Sequence, residues 1–596
     1  MQFWFYRQAR SLLLLTLCSL AVTACGAGNN TSAELEGQYH FTADEYSRAD
    51  RYASASFNGA GAVATVNPLA TRAGLEVLDQ GGTALDAAVA AALTLGVVDG
   101  HNSGIGGGNF AVIHYADGRV EALDGREIAP QAAQRDMYLR GGKGDISLST
   151  TGALAVGIPG SLAVYDYMLK KSGKFTLSDI ILPAADLAER GFPLCQVSHD
   201  RIAFSAEKIR LFPATAQVLL DQQGQPWPVG HDLIQKDLAN TYRMIAEQGI
   251  DYFYRGDFAH KVETWMQHNG GIINAKDFAN YQMLVREPVK SSYRGYDVYG
   301  FPPPSSGGVH VAQILNVLEG FEVAKLNDGD RYHLLAEAMK LAFADRAHFL
   351  GDPDFVPVPK GLIDQTYADN LAKKIDFSAA AQQVQHGNPP GADIDLFGKH
   401  TTHISVADKL GNWVSITTTV NTSFGSKVMI PGTGVVMNNQ MDDFSTQPGV
   451  PNVFGLVGSE ANSVQAGKRP LSSMSPTIVV KDGQPIIAIG AAGGPTIITQ
   501  VVQGLVNIID LGMSATEALA VPRVHHQWQP EVTFIEASLP TSVKQWLLAR
   551  GHKIHERGYN GASQVILLDE KGNFDAAAEP RIIQRNTVPL SAAIIH

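Results

Sequence analysis

The chain has 596 residues, 45% of them hydrophobic and 17% charged, the composition of a globular protein with a large core. Its formal net charge is −12 with a pI near 5.8. That balance excludes a nucleic-acid partner held by clustered Lys and Arg, and reads as a solvated acidic surface.

The first element is a leader. Arg7 and Arg10 precede an apolar run from Leu12 to Val22 that ends in 22-VTAC-25. A basic start, a short apolar stretch and small residues are the parts of an export signal, and the run is too short to span a bilayer comfortably. Cys25 directly after small residues resembles a bacterial lipobox. On that reading residues 1–24 are removed, Cys25 carries lipid, and 26–36 is a tether; a plain secretory signal cleaved nearby is the alternative. Either reading exports the protein. Gly26 after the cysteine resembles outer-membrane sorting, so the expected location is the periplasm, anchored to the outer membrane through lipid. Of three cysteines, Cys18 leaves with the signal and Cys25 is lipidated, which leaves Cys195 without an intramolecular disulfide partner.

Next, 62-AVATV-66 predicts a strand closed by Asn67-Pro68, a cap and first-turn pair for a helix to about Leu78. A second helix, about Ala84 to Leu95, is apolar nearly all round and therefore buried. The segment 103-SGIGGGNF-110 lacks the spacing of a dinucleotide loop and follows a helix, so it reads as a tight backbone turn. The stretch 331-RYHLLAEAMKLAFADRAHFL-350 predicts an amphipathic helix. His333 and Glu337 lie one turn apart on it, but no further metal ligand accompanies them. His525 and His526 are adjacent and point apart, so they do not chelate simply. No metal is expected. Residues 379–400, polar with Gly and Pro, predict an exposed loop.

That loop enters 398-GKHTTHISVADKLGNWVSITTTVN-421. Two alternating segments flank 408-DKLGN-412, which fits a type I turn with a left-handed Gly411. The turn pairs Asp408 with Asn412. It sets Ile404 against Ile416, Val406 against Val414, and Thr401 against Thr419. Threonine favours strands in any case, so composition alone assigns these hydroxyls no task.

The run TTHISVAD…GN…TTTVNTSFGS, with NNQMDDFS at 438–445, RPLSSMSPT at 469–477 and Gly493-Gly494, resembles the γ-glutamyltranspeptidase family. NPLAT, GGTALDAA, SGIGGG, LDGRE, PPPSSGG and EAMKLAFADR agree in the same order. The resemblance implies an N-terminal-nucleophile hydrolase of α+β class, an αββα four-layer sandwich. It implies self-cleavage between His400 and Thr401 into a large subunit, 25–400, and a small one, 401–596. Thr401 would then attack with its hydroxyl, its own freed α-amine serving as candidate base and Thr419 supporting it. Gly493 and Gly494 would bind the oxyanion. Arg126, Ser472 and Ser473 would hold the substrate carboxylate, and Asp443, Gln440 and Asn421 its ammonium. If NQMDDF is extended, Asp442 faces away from Asp443. The segment 448–467 resembles a pocket lid with Phe454 as its screen, in a place where some members carry tyrosine.

The implied substrate is glutathione or a related γ-glutamyl amide. The acyl group would pass to water, an amino acid or a peptide, with no cofactor. Two rivals stand beside this reading. One is a β-lactam side-chain acylase (cephalosporin or glutaryl) on the same scaffold, against which the full amino-acid clamp speaks. The other is a non-catalytic exported peptide-binding lipoprotein, which would need neither paired threonines nor paired glycines.

Overall fold

The computed structural model describes residues 48–172, 174–382, 384–387, 401–447, 460–558 and 561–586. Cys25, His400 and Phe454 lie outside the described residues.

Two antiparallel sheets carry the architecture. The first is formed by β1 (Ala53–Ala55), β2 (Gly61–Ala64), β3 (Gly108–His114), β4 (Val120–Gly125), β5 (Leu284–Arg286), β8 (Thr402–Asp408) and β9 (Trp413–Thr419), in the order β1-β2-β8-β9-β3-β4-β5. The second is formed by β6 (Val289–Tyr293), β7 (Tyr296–Gly300), β10 (Thr477–Lys481), β11 (Gln484–Ala492), β12 (Ala562–Leu568) and β13 (Phe574–Ala578), in the order β6-β7-β10-β11-β12-β13. Helices α1 (Pro68–Asp79) and α2 (Ala84–Val98) cover the first sheet. Helices α4 (Gly307–Leu318) and α6 (Thr496–Ile509) cover the second. The result is the expected αββα sandwich. Phe110, Phe301, Trp413, Ile478, Ala488 and Ile566 form its central core, with the Phe110 and Phe301 rings stacked 3.9 Å apart.

Local chemistry explains the first elements. The Asn67 side chain accepts from the Leu69 N–H, and Pro68 opens α1. Thr83 and Asp86 form a reciprocal capping box for α2, whose residues are all buried. The β8–β9 hairpin has the register read from the sequence: Ile404 opposes Ile416, Ser405 Ser415 and Val406 Val414. Gly411 closes the turn with a φ of +99°.

The two faces of β8 and β9 differ in chemistry but not in burial. Ser405 Oγ donates to the Ala488 carbonyl, and Ser415 Oγ to that of Ile489, so the hydroxyl face meets the second sheet. His403 lies in this layer, hydrogen bonded to Thr417 Oγ1 at 2.9 Å; burial pushes its pKa down to about 3 and keeps the ring neutral.

The helix expected over 331–350 is α5 (Asp328–Phe349), with α3 (Gln196–Ile209) before it in the chain. It is not amphipathic. Tyr332 to Ala347 are buried continuously, and the polar residues among them have partners. His333 contacts His552, Lys340 pairs with Glu337 and Glu531, and Asp345 accepts from Gln313, Tyr367 and Gly387. Periodicity counts polar residues as exposed, whereas these are sequestered in compensating networks. Of the loop expected over 379–400, residues 379–382 and 384–387 are described, and there Ala381 is tied to α5. Ala381 N–H donates to Glu337, and Lys340 Nζ to the Ala381 carbonyl.

The glycine turn before β3 has a steric purpose. A β-carbon on Gly107 would lie 1.8 Å from the Thr419 carbonyl oxygen, which neither backbone could absorb. Gly107→Ala is expected to destabilise the protein by about 1–3 kcal/mol or more through overpacking against β9. Chemical denaturation checks this; an unchanged midpoint would contradict the packing described.

Candidate active site

Thr401 precedes β8 at one end of the first sheet. Extending the ladder by one residue beyond Thr402–Thr418 sets it opposite Thr419. Alternation puts Thr401 on the same face as His403, toward the second sheet. There β11 ends at Ala492 and runs into Gly493 and Gly494. Both glycines have positive φ, +134° and +65°, which ordinary side chains rarely allow. Thr401 is 4% exposed, and its hydroxyl has no hydrogen-bond partner among the described residues. A cavity of about 260 Å³ is lined by both Thr401 and Gly493. A buried hydroxyl facing such a turn has the parts of an acyl-transfer site: an attacking oxygen and backbone donors for an oxyanion.

Beyond β9 the chain turns sharply at Asn421, with a φ of +78°. Asn421 N–H donates to Thr419 Oγ1 at 2.8 Å, so the Thr419 hydroxyl is held from its own strand end. Asn421 Nδ2 donates to the Asn439 carbonyl, which ties this turn to the segment carrying Gln440 and Asp443. That segment, Gln440–Asp443, is a short 3₁₀ turn rather than extended chain. The expected separation of the two aspartates survives for a different reason. Asp442 accepts from Ser149 Oγ at 2.5 Å, while Asp443 accepts from Gln440 Nε2 and Arg126 Nη2.

Arg126 and Asp443 touch directly, at 2.5 Å, with side chains 1% and 0% exposed. The sequence had placed them at opposite ends of a bound amino acid. Pairing leaves neither buried charge uncompensated. Arg126 also donates to the Pro470 and Leu471 carbonyls, which fixes it against the strand of residues leading to Ser472. Two acceptors beside this pair, Asn421 Oδ1 and Gln440 Oε1, are buried without hydrogen-bond partners among the described residues. Orphaned buried acceptors are costly and mark a place for a cationic donor.

The serines are engaged. Ser472 Oγ accepts from Met474 N–H, a local turn bond, and Ser473 Oγ accepts from Arg346 Nη2 at 2.8 Å. Arg346 is a residue that sequence reasoning passed over. It lies in EAMKLAFADR on α5, is fully buried, and also donates to Ser306 Oγ. Burial lowers its pKa to about 9, opposed by the nearby Asp443 charge. Ser306 in turn donates to the Ser472 carbonyl, so PPPSSGG and RPLSSMSP are stitched together at this point. Glu127, in LDGRE, was given no role either. It is buried 3.6 Å from Arg126 Nη1, and burial raises its pKa to about 8. Asn462 supports Asp443 by donating to its carbonyl. The signal for these residues was motif membership, which carries no role by itself.

Among the described residues no group of His, Cys, Asp and Glu is arranged to hold a metal ion. His525 contacts Thr499 and Gln527, whereas His526 contacts Glu531.

The profile described as Gamma-glutamyltranspeptidase matches residues 70–588. The chain belongs to the γ-glutamyltranspeptidase family. The Escherichia coli (strain K12) protein named glutathione hydrolase proenzyme is 42% identical over 527 residues, covering 88% of this chain and 90% of its own. A protein of the same name from Pseudomonas sp. (strain A14) is 45% identical over 483 residues, covering 80% and 83%. The crystal structure of cephalosporin acylase from Bacillus halodurans superposes with a TM-score of 0.78 at 30% identity, covering 88% of this chain and 94% of that one.

Within the γ-glutamyltranspeptidase family reading, the two aspartates make a clean contrast. Asp443→Ala removes the carboxylate paired with buried Arg126 while Glu127 stays 3.6 Å away; breaking a buried pair typically costs about 3–5 kcal/mol, and the variant is expected to reduce kcat/KM on a γ-glutamyl anilide by several hundred-fold or more. Asp442→Ala removes the bond to Ser149 and leaves the Arg126–Asp443 pair in place, and it is expected to cost far less. Steady-state kinetics on both variants checks this; the reverse order would exchange their assignments.

Proposed function

We propose that the chain is the precursor of a self-processing γ-glutamyltransferase that hydrolyses glutathione and related γ-glutamyl amides. The observation that carries the proposal is the Thr401 hydroxyl, buried and unpartnered at the head of β8 and sharing its cavity with Gly493.

In the proposed mechanism the Thr401 hydroxyl first attacks the His400 carbonyl. The peptide bond becomes an ester and then hydrolyses, which frees the Thr401 α-amine. The cut yields subunits 25–400 and 401–596. Before cleavage that nitrogen is an amide and accepts no proton. Afterwards it is an amine with an ordinary pKa of about 7.7–8.0, well placed to act as base near neutral pH. The activated hydroxyl attacks the γ-carbonyl of the donor. Gly493 and Gly494 N–H groups stabilise the oxyanion, the amine leaves, and a γ-glutamyl ester remains on Thr401. Water, an amino acid or a peptide then takes the acyl group. Arg126, Ser472 and Ser473 bind the donor carboxylate; Asp443, Gln440 and Asn421 bind its ammonium. Phe454 screens the pocket. No metal or organic cofactor enters.

The relatives named glutathione hydrolase proenzyme support the substrate and the processed precursor. Likeness to a cephalosporin acylase favours a second reading, a β-lactam side-chain acylase. The buried Arg126–Asp443 pair with its adjacent free acceptors argues for an amino-acid head group instead. The leader supports export to the periplasm with a lipid on Cys25 as the only membrane attachment; several acyl chains are needed for firm anchoring.

A denaturing gel with mass spectrometry of each fragment tests the maturation scheme. Wild type is expected to give two chains, the larger acylated at Cys25, and Thr401→Ala one uncut, inactive chain. Thr401→Ser is expected to mature with reduced activity. A Thr401→Ala protein that still split would overturn the nucleophile, and a large chain without lipid would overturn the anchor.

A further inference from the structure

The turn that follows β9 has an unusual backbone. Between 421 and 427, four residues have left-handed angles: Asn421 at φ +78°, Phe424 at +58°, Gly425 at +48° and Lys427 at +69°. Asn421, Phe424 and Lys427 carry side chains, for which this region is costly. Such a turn persists only where its surroundings hold it.

Lys427 supplies part of that hold from inside. It is 6% exposed, and its Nζ donates to the Gly425 carbonyl at 2.5 Å and to Thr422 Oγ1 at 3.1 Å. A lysine seldom enters a protein interior without such acceptors. Burial lowers its pKa to about 7; Lys208 on α3 adds to that, and the Asp442 charge opposes it. Charged or neutral, the nitrogen carries the two protons that these bonds need.

From Thr422 the bonds run to the proposed ammonium site. Thr422 Oγ1 accepts from Lys427 and from Asn439 Nδ2 at 2.9 Å, and gives its own proton to the Gly425 carbonyl. Asn439 Oδ1 accepts from Thr422 N–H at 3.0 Å, so both ends of the Asn439 amide are tied to Thr422. The Asn439 carbonyl accepts from Asn421 Nδ2 at 3.0 Å. With its nitrogen engaged in this way, the Asn421 amide keeps Oδ1 as the orphaned buried acceptor.

Resting on the reading of Asn421 as an acceptor for the substrate ammonium, we propose that Lys427 is a positioning residue that sets the preference for donors bearing an α-ammonium. It holds the left-handed turn closed. Through Thr422 and Asn439 it keeps Asn421 Oδ1 in place for that ammonium. Without the lysine the turn relaxes, and the acceptor must be ordered at the moment of binding. The loss falls chiefly on recognition of the head group, because the strand that follows Thr401 is held by its own neighbours in the sheet.

The test uses the mature two-chain enzyme with two donors, a γ-glutamyl anilide and the corresponding glutaryl anilide. They share the carboxylate and the scissile amide and differ in the ammonium. Wild type is expected to prefer the γ-glutamyl donor by roughly 100-fold or more in kcat/KM, the range for leaving a buried charge unpaired. In Lys427→Met that preference is expected to fall by about 10-fold, the range of one hydrogen bond to a charged group, chiefly through KM for the γ-glutamyl donor. General misfolding would lower both donors alike. Lys427→Arg keeps a donor and is expected to retain part of the preference. Thr422→Val breaks the same chain of bonds one step nearer the site and is expected to reproduce the loss, which keeps the test open should Lys427→Met fail to fold. The double variant is expected to lose no more than either single one. An unchanged preference in Lys427→Met, or in Thr422→Val, would overturn the proposal. A wild type that cleaves both anilides equally well would instead overturn the ammonium reading of the clamp, so the two failures are distinguishable.

Discussion

A threonine hydroxyl becomes a useful nucleophile only when a base adjoins it. In the proposed scheme that base is the residue's own α-amine, which does not exist until the chain is cut. The residue must therefore keep its place when the covalent bond before it is lost. The fold meets this demand through β8. It lies inside the seven-stranded sheet, paired with β9 along 402–407 and with β2 along 405–408. All those hydrogen bonds lie after Thr401. Cleavage at its N-terminal side breaks none of them. The hydroxyl ladder between the sheets adds a second anchorage through Ser405 and Ser415.

In the proposed reading, recognition of the donor turns on one buried ion pair. Arg126 and Asp443 compensate each other within a shell of carbonyls, Gln440 and Asn462. An amino-acid head group carries one carboxylate and one ammonium. It can divide this pair and compensate each half, leaving the number of buried charges balanced. A ligand lacking either charge leaves one half without its counterpart, which is costly in a buried site. The orphaned carbonyl oxygens of Asn421 and Gln440 provide further acceptors on the ammonium side. On that reading, selectivity for amino-acid head groups would follow from electrostatics more than from shape.

Legibility in the sequence tracked the range of the interaction. The β8–β9 register and the Asn67 cap were legible because each is set by residues close in sequence; the glycine run before β3 was legible as a turn, but its close approach to the distant Thr419 was not. The four-layer arrangement came through motif resemblance, which is also the source of the proposed site residues. What escaped was long-range compensation. α5 looked amphipathic because its Lys340, Asp345 and Arg346 are polar, yet distant partners bury them. Arg346 became visible as a support for Ser473 only once α5 was packed on the loop 471–474. The turn at 440–443 looked extended because nothing local dictates its 3₁₀ bend.

The central claim is that one residue serves as new N-terminus and acyl acceptor. Rapid quenching of the mature enzyme with a γ-glutamyl donor at saturating concentration, followed by peptide mapping, tests it most directly. The account predicts that the small chain begins at Thr401 and that this terminal residue carries one γ-glutamyl group as an ester, lost on treatment with hydroxylamine. An acyl group found on any other residue, or a small chain starting elsewhere, would contradict it.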